Sequence, residues 1–253
     1  MTIENYVILR NKKLTEKTFE LTIDAPELAR LSEPGQFCNI KVSGELIPLL
    51  RRPFSISQVS GTEVTFMIAV TGTGTGILAK KQTGDELNVL GPLGKGFGID
   101  DTFETAILIA GGIGVAPFPF LINKLKEQGK EIILFNGARN SAELIKLNFE
   151  NELNSTDDGS AGLKGNVIDL LHANRKLFVN KNVKVFGCGP HPMLKALQDY
   201  CSTGNLNCEI SVESNMACGF GICQGCPVHS ASEDKYYLIC KDGPVFNSRD
   251  IIL

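Results

Sequence analysis

Along the first hundred residues, apolar and polar positions alternate in short runs. Phe19, Leu21 and Ile23 share one face of Thr18–Ile23, opposite Thr18, Glu20 and Thr22. Glu63–Ile68 repeats the pattern with Val64, Phe66 and Ile68, and Gln36–Val42 with Cys38, Ile40 and Val42. Pro34-Gly35, Ser43-Gly44 and Ser60-Gly61 bound these runs. A period of two broken by turn residues predicts half-buried antiparallel strands, in a sheet or small barrel. Glu86–Leu90 is a further strand, expected to stop at Gly91-Pro92.

The pattern changes near Thr102. Ala106–Ala110 is continuously apolar, as a parallel strand buried on both faces requires. Phe118, Leu121, Ile122 and Leu125 then recur at helical spacing, and Gly129 closes that helix. Ile132–Phe135 and Val183–Phe186 read as further buried strands, the second followed by a helix carrying Met193, Ala196, Leu197 and Tyr200. Alternating strands and helices imply a doubly wound parallel sheet. Asn154–Gly165 is polar and glycine-rich and reads as a loop, and the last forty residues gather around cysteines. The chain is therefore expected to be multi-domain, β plus α/β. An N-terminal antiparallel β-barrel spans 1–100, a parallel-sheet nucleotide domain 101–211 and a small cysteine-bearing unit 212–253.

Composition narrows the function. The 25 basic and 28 acidic residues form no sustained basic stripe, which argues against nucleic-acid binding. No apolar run reaches the roughly 18 residues a membrane helix needs. Met1–Tyr6 lacks a secretion signal's basic start, so a cytoplasmic location is expected. In that reducing setting eight cysteines, half of them after Asn215, point to metal or redox chemistry rather than disulfides.

Cys218, Cys223 and Cys226 are spaced C-x4-C-x2-C, and Cys240 follows after 13 residues. This is the plant-type [2Fe-2S] spacing, in which two irons take four thiolates. Gly219, Gly221 and Gly225 would let the loop turn sharply and bring amides close to sulfur. Zinc is the alternative, although only Cys223 and Cys226 form the short unit zinc sites usually pair. A Cys223–Cys226 dithiol is another, although such pairs normally follow a strand in a βαβ unit. Cys38, Cys201 and Cys208 read as small buried residues.

Three more segments suit phosphate or nucleotide. Gly111-Gly112-Ile113-Gly114 lies between a buried strand and a helix, where a dinucleotide's phosphates meet backbone amides. Its order departs from G-x-G-x-x-G, and tight strand–helix packing would also use those glycines. Thr71–Gly76 alternates threonine and glycine, fitting a close phosphate approach or a flexible connection. Arg51-Arg52-Pro53-Phe54-Ser55 offers an arginine fork for a pyrophosphate, or a surface basic pair.

Taken in order, Arg52–Ser55, Gly72–Gly76, Gly91-Pro92-Leu93-Gly94, Gly111–Pro117 and Cys188-Gly189-Pro190 resemble the ferredoxin–NADP reductase-like flavoproteins. Glu213-Ser214-x-Met216-Ala217-Cys218, Cys223, Cys226 and Cys240–Phe246 are similar to the electron-transfer subunits of NAD-dependent, B-type dihydroorotate dehydrogenases. The resemblance covers essentially the whole chain. It implies an FAD-binding barrel, an NAD-binding domain and a [2Fe-2S] domain. It also implies a partner, an FMN-containing catalytic subunit, with two subunits of each kind in the complex. Carried over, it places Arg52, Pro53, Phe54 and Ser55 on FAD, with Ile68, Ala69 and Val70 along the flavin through main-chain contacts. Gly74, Thr75 and Gly76 would face its pyrophosphate. Gly111, Gly112 and Gly114 would sit against NAD, and Cys188, Gly189 and Met193 near the nicotinamide. Cys218, Cys223, Cys226 and Cys240 would hold the cluster. The segment Phe66–Val70 lacks the arginine some members carry there.

The function implied is passage of electrons from the partner's FMN through [2Fe-2S] and FAD to NAD, in pyrimidine biosynthesis. Cofactors carry that chemistry, so no catalytic side chain is expected, and Cys188 reads as a packed thiol. A related reductase component serving a hydrogenase, sulfide-linked or glutamate synthase-type partner is the nearest alternative. A self-contained NADH oxidase and a zinc- and nucleotide-binding regulator are more distant. Arg139 could reach the 2′-phosphate of NADP but reads better as a solvated charge.

Overall fold

The computed structural model describes residues 1–45, 47–100 and 102–253. Six strands close the barrel: β1 (Thr2–Lys13), β2 (Thr18–Asp24), β3 (Phe37–Lys41), β4 (Arg52–Ser60), β5 (Glu63–Ala69) and β6 (Glu86–Leu93), in the order β1-β2-β5-β4-β3-β6. Helix α1 (Pro26–Leu31) follows β2 and α2 (Thr73–Leu78) follows β5. The predicted alternation fills the interior with Leu21, Ile23, Cys38, Ile40, Val64, Phe66 and Ile68. Two readings change. Strand β6 runs through Gly91-Pro92 to Leu93, where Gly91 still pairs with Thr2 of β1. And β3 is buried on both faces, because Phe37, Leu90 and Leu93 pack into a second core with the C-terminal residues Cys226, Cys240 and Phe246.

The second sheet has seven strands: β7 (Thr105–Gly111), β8 (Glu131–Ala138), β9 (Glu152–Thr156), β10 (Leu163–Lys164), β11 (Val183–Cys188), β12 (Asn207–Ser211) and, after β13 (Pro227–Ser230) and β14 (Tyr236–Leu238), β15 (Val245–Asn247). Its order is β10-β9-β8-β7-β11-β12-β15, with every pair parallel except β12–β15. Between these strands lie α3 (Phe118–Glu127), α4 (Val167–Ala173), α5 (His191–Thr203) and α6 (Ile239–Asp242). In β7, Ala106, Leu108 and Ala110 pack under α3, while Ile107 and Ile109 face α4 and α5. The apolar run is thus covered by helices on both faces, the arrangement of a doubly wound sheet.

The expected loop Asn154–Gly165 instead contains the end of β9 and all of β10. Its strand signal is masked because Ser155 and Thr156, fully buried, are polar, and Thr156 is satisfied by the Ala161 carbonyl. In α5 the buried stripe is Leu194, Leu197 and Cys201, one position away from part of the predicted set. Met193 and Ala196 line a cavity instead, and Tyr200 stacks edge-on with His172 at 4.7 Å.

A buried ion pair joins barrel and sheet. Lys184 Nζ on β11 lies 2.9 Å from Glu209 Oε1 on β12 and donates to the Gly98 carbonyl at 2.7 Å. The Gly98 amide donates to Glu209 Oε2 at 2.8 Å, so the segment leaving the barrel is held at both its polar groups. The C-terminal residues form a three-stranded sheet, β14-β13-β16, with β16 at Ile251–Ile252. No helix among the described residues is long and apolar enough to cross a membrane.

Candidate functional site

The order in which successive strands are laid down reverses between β7 and β11, and ligands of open α/β sheets bind at the carboxyl ends of such a switch point. There the glycine turn after β7 meets the end of β11. A Cβ on Gly114 would land on the Cys188 carbonyl oxygen, and one on Gly111 would lie 2.5 Å from Met193 Sδ. Gly112 differs: its φ is +56°, and a Cβ there would meet open space. Two glycines therefore permit close packing and the third a left-handed turn facing the cavity.

A large cavity of about 1090 Å³ opens over this turn. Gly111, Gly112, Gly114, Gly189, Met193, Ala69 and Val70 line it, and Arg139 stands at its far end beside Asp157. The backbone sets that last neighbourhood, since Asp157 N donates to the Ala138 carbonyl at 3.1 Å and Asp158 N to the Arg139 carbonyl at 3.3 Å.

A smaller cavity of about 230 Å³ adjoins it, with walls from all three parts of the chain. The barrel supplies Phe37, Pro53, Phe54, Ser55, Ala69 and Thr75; the nucleotide domain supplies Ile113 and Cys188; the C-terminal part supplies Met216 and Pro244. Strand β4 carries Pro53–Ser55 here because it pairs with β3, with Phe54 opposite Cys38 and Ser55 opposite Phe37. Arg52 lies beside Gly74, where a Cβ would sit 3.5 Å from its Nε, and its guanidinium donates to the Leu50 carbonyl at 2.7 Å. Thr75 Oγ1 accepts from the Thr71 and Gly72 amides at 2.9 and 3.1 Å, which fixes the start of α2. Ile68 points into the barrel core and can offer a ligand only its main chain. Gly76 lines neither cavity.

Cys188 is 2% exposed, and burial raises its thiol well above the usual range, which keeps it protonated. Glu213 lines both cavities; its side chain is exposed to solvent, and the protein mass around the cavity mouth raises its carboxyl by partial desolvation. Sequence reasoning assigned Glu213 no role. Its signal was positional, for it follows β12 at the carboxyl end of the parallel sheet.

The four clustered cysteines lie as two separate pairs, and among the described residues no three of them converge on one point. Cys226 Sγ and Cys240 Sγ are 3.2 Å apart and buried, and the Cys240 amide points at Cys226 Sγ at 3.4 Å. Cys223 is exposed, and its amide points at Cys218 Sγ at 3.4 Å. Two thiols for each of two irons is the donor set of a [2Fe-2S] cluster, whereas a zinc site converges four ligands on one point. Desolvation raises the Cys218 thiol, but amides of Cys223, Phe220 and Ile222 outweigh it and bring the group down to about 6. Burial, with Cys226 alongside, pushes the Cys240 thiol up to about 12. Gly219 and Gly221 take φ of +83° and +88° as expected. Gly225 does not; the third left-handed residue is Gln224, at +58°, whose side chain donates to the Gly221 carbonyl at 2.9 Å.

Residues 213–252 match the iron–sulfur cluster binding domain of dihydroorotate dehydrogenase B. The electron transfer subunit of dihydroorotate dehydrogenase B (NAD(+)) from Geobacillus thermodenitrificans (strain NG80-2) is 36% identical over 99% of this chain and 98% of its own. This chain belongs to the dihydroorotate dehydrogenase B electron transfer subunits. The Fusobacterium nucleatum subunit is 34% identical over 99% of both chains. Among solved structures, a chain of the NADH-dependent reduced ferredoxin–NADP oxidoreductase superposes with TM-score 0.86 at 27% identity, covering 98% of this chain and 89% of that one. A Neisseria gonorrhoeae ferredoxin–NADP+ reductase shares the fold, with TM-score 0.67 at 17% identity over 86% and 96% of the two chains. This chain thus has the barrel and parallel-sheet frame of ferredoxin reductases, with a cysteine-rich unit at its C-terminal end.

Proposed function

We propose that this protein carries electrons from the FMN of a dihydroorotate dehydrogenase catalytic subunit to NAD, through a [2Fe-2S] cluster and FAD of its own. The observation that carries this reading is the small cavity, where flavin motif, nucleotide strand and cysteine unit share one wall. Three separately legible motifs meet there because β3 is covered on its outer face by the C-terminal unit. The three parts of the chain, 1–100, 101–211 and 212–253, serve FAD, NAD and the cluster in turn.

Cys218 and Cys223 would hold one iron, and Cys226 and Cys240 the other. Gly219 and Gly221 turn the loop so that its amides face Cys218 Sγ. Arg52, Pro53, Phe54 and Ser55 grip the flavin, with Ala69 and Val70 along it and Gly74, Thr75 and Gly76 at its pyrophosphate. Gly111, Gly112 and Gly114 bring the backbone close to the dinucleotide, whose nicotinamide end meets Cys188, Gly189 and Met193. When bound, flavin exchanges electrons singly with the cluster and in pairs, as hydride, with nicotinamide. The protein's part is to hold, orient and exclude water. Cys188, buried and protonated, shapes the wall of the smaller cavity. Exposed Phe220 and Ile222 on the cysteine loop favour a partner-dependent carrier over a self-contained oxidase, because a contact donor needs a docking face.

The test is to co-purify the chain with its dihydroorotate-oxidising partner, two of each, and assay dihydroorotate-dependent NAD reduction. Bound FAD, two irons per chain and coupled turnover are expected. Iron and flavin without coupled turnover would favour a reductase component for another partner.

A further inference from the structure

Asn39 has no role in the motifs above, yet it stands where the barrel meets the cysteine loop. It lies on β3 and is fully buried. Its Nδ2 donates to the Cys218 carbonyl at 3.1 Å, across 179 residues of sequence. The contact is close enough that a Cβ on Gly219 would collide with Nδ2, so the loop lies directly on this side chain. The Asn39 carbonyl accepts from Arg51 Nη1 at 3.3 Å, which fixes the strand at that residue. Among the described residues, Asn39 Oδ1 has no partner. A buried, half-satisfied amide costs free energy that an apolar residue of the same size would not, and such groups concentrate where function requires them.

Its neighbours on the strand pair are those of the flavin cavity. Asn39 stands opposite Pro53, and Cys38 opposite Phe54. Phe37, two residues earlier on the same face, lines that cavity. One bonded link from the cysteine loop to the flavin motif therefore runs from Cys218 through its carbonyl, across the Asn39 hydrogen bond and over to Pro53 on the neighbouring strand.

We infer that Asn39 is the positioning residue that seats the Cys218 loop on the flavin barrel and links ligand set to flavin. The inference rests on the proposed ligand set and goes beyond it. Dihydroorotate gives up two electrons and two protons as it becomes orotate at the partner. Both electrons would pass from cluster to flavin one at a time, with the Asn39 bond holding the loop against the barrel meanwhile. NAD+ then takes both with one proton as hydride, and the other proton goes to solvent. Asn39 also holds the loop in the shape that aims the amides of Phe220, Ile222 and Cys223 at Cys218 Sγ. Those hydrogen bonds favour the more negative, reduced state of a cluster.

Asn39→Leu removes the donor at nearly constant volume, Asn39→Asp replaces it with an acceptor, and Asn39→Gln keeps it. Each is prepared as the complex with the catalytic partner. The readouts are iron and flavin content, the cluster midpoint potential followed by electron paramagnetic resonance, dihydroorotate-driven flavin reduction in stopped flow, and NADH-to-dye turnover. Asn39→Leu and Asn39→Asp are expected to keep iron, flavin and NADH-to-dye turnover within twofold of the parent. Their potentials fall, further in Asn39→Asp, and dihydroorotate-driven flavin reduction slows at least tenfold; Asn39→Gln restores both. Parental potentials and rates in Asn39→Leu and Asn39→Asp would overturn the inference, as would a Gln variant as impaired as Leu, which would make the effect one of packing. Should Asn39→Leu lose its flavin, the Asp and Gln variants decide on the same readouts. A parent complex without iron would instead sink the ligand assignment.

Discussion

Cys226 Sγ and Cys240 Sγ lie 3.2 Å apart in a buried pocket, although 13 residues of chain separate them. Cys218 and Cys223 form the second pair in a more open setting. The two halves of the site should therefore respond differently to loss of a ligand. Cys218→Ser is expected to abolish electron passage through the cluster while NADH-to-dye turnover stays at half or more, since the flavin cavity is untouched. Cys226→Ser or Cys240→Ser should also loosen the core shared with Phe37, Leu93 and Phe246, and release flavin at a lower temperature. Iron analysis, visible absorption and a flavin-release melting curve check both halves.

The glycine turn after β7 makes a sharper forecast, because two of its glycines are required for different reasons. Gly114→Ala pushes a methyl into the Cys188 carbonyl and must displace the end of β11. NADH reduction of the flavin should fall at least a hundredfold with FAD retained. Gly112→Ala meets no obstacle, and its cost is the left-handed φ, about 1–2 kcal/mol. Its effect should be tenfold or less. Stopped-flow reduction by NADH separates the two.

Lys184 and Glu209 form a buried pair that also satisfies both polar groups of Gly98. Removing one partner of such a pair leaves an uncompensated buried charge, at a cost of about 3–5 kcal/mol. Lys184→Met is expected to lower the unfolding midpoint sharply, and Lys184→Met with Glu209→Gln to recover part of the loss. Denaturant titration of the two variants tests this.

Glu213 supplies the pH dependence. Desolvation raises its carboxyl, so its negative charge appears on the cavity wall above the usual carboxylate range. A carboxylate on that wall would stabilise the cation that hydride loss leaves on a nicotinamide bound in the cavity. Flavin reduction by NADH should therefore rise as pH climbs through this titration, and the reverse reaction should fall. Glu213→Gln should flatten both profiles above the usual carboxylate range.

The barrel and the doubly wound sheet were legible because their strands follow simple periods, two in the barrel and continuous apolar runs in the sheet. The signal fails where tertiary packing overrides it. The period of β3 predicts an outward Asn39 in solvent, but the C-terminal unit covers it. Ser155 and Thr156 hide a strand because a loop carbonyl satisfies one of them. Cysteine spacing gave the candidate ligands, but the two-by-two pairing needed coordinates, since β14 and α6 bring Cys240 back to Cys226. Asn39 and the Lys184–Glu209 pair join segments far apart in sequence, and nothing local marks them.

Strand β15 lies at the edge of the seven-stranded sheet, paired with β12. An uncovered sheet edge is a template for pairing with other chains. The cysteine-bearing unit is thus also the guard of that edge: its Val245–Asn247 segment fills hydrogen bonds that β12 would otherwise offer to a neighbour. A chain shortened before Cys218 would lose its electron entry and gain an aggregation-prone border in one step. The cluster ligands and the cover of the sheet edge are thereby carried by the same segment of chain.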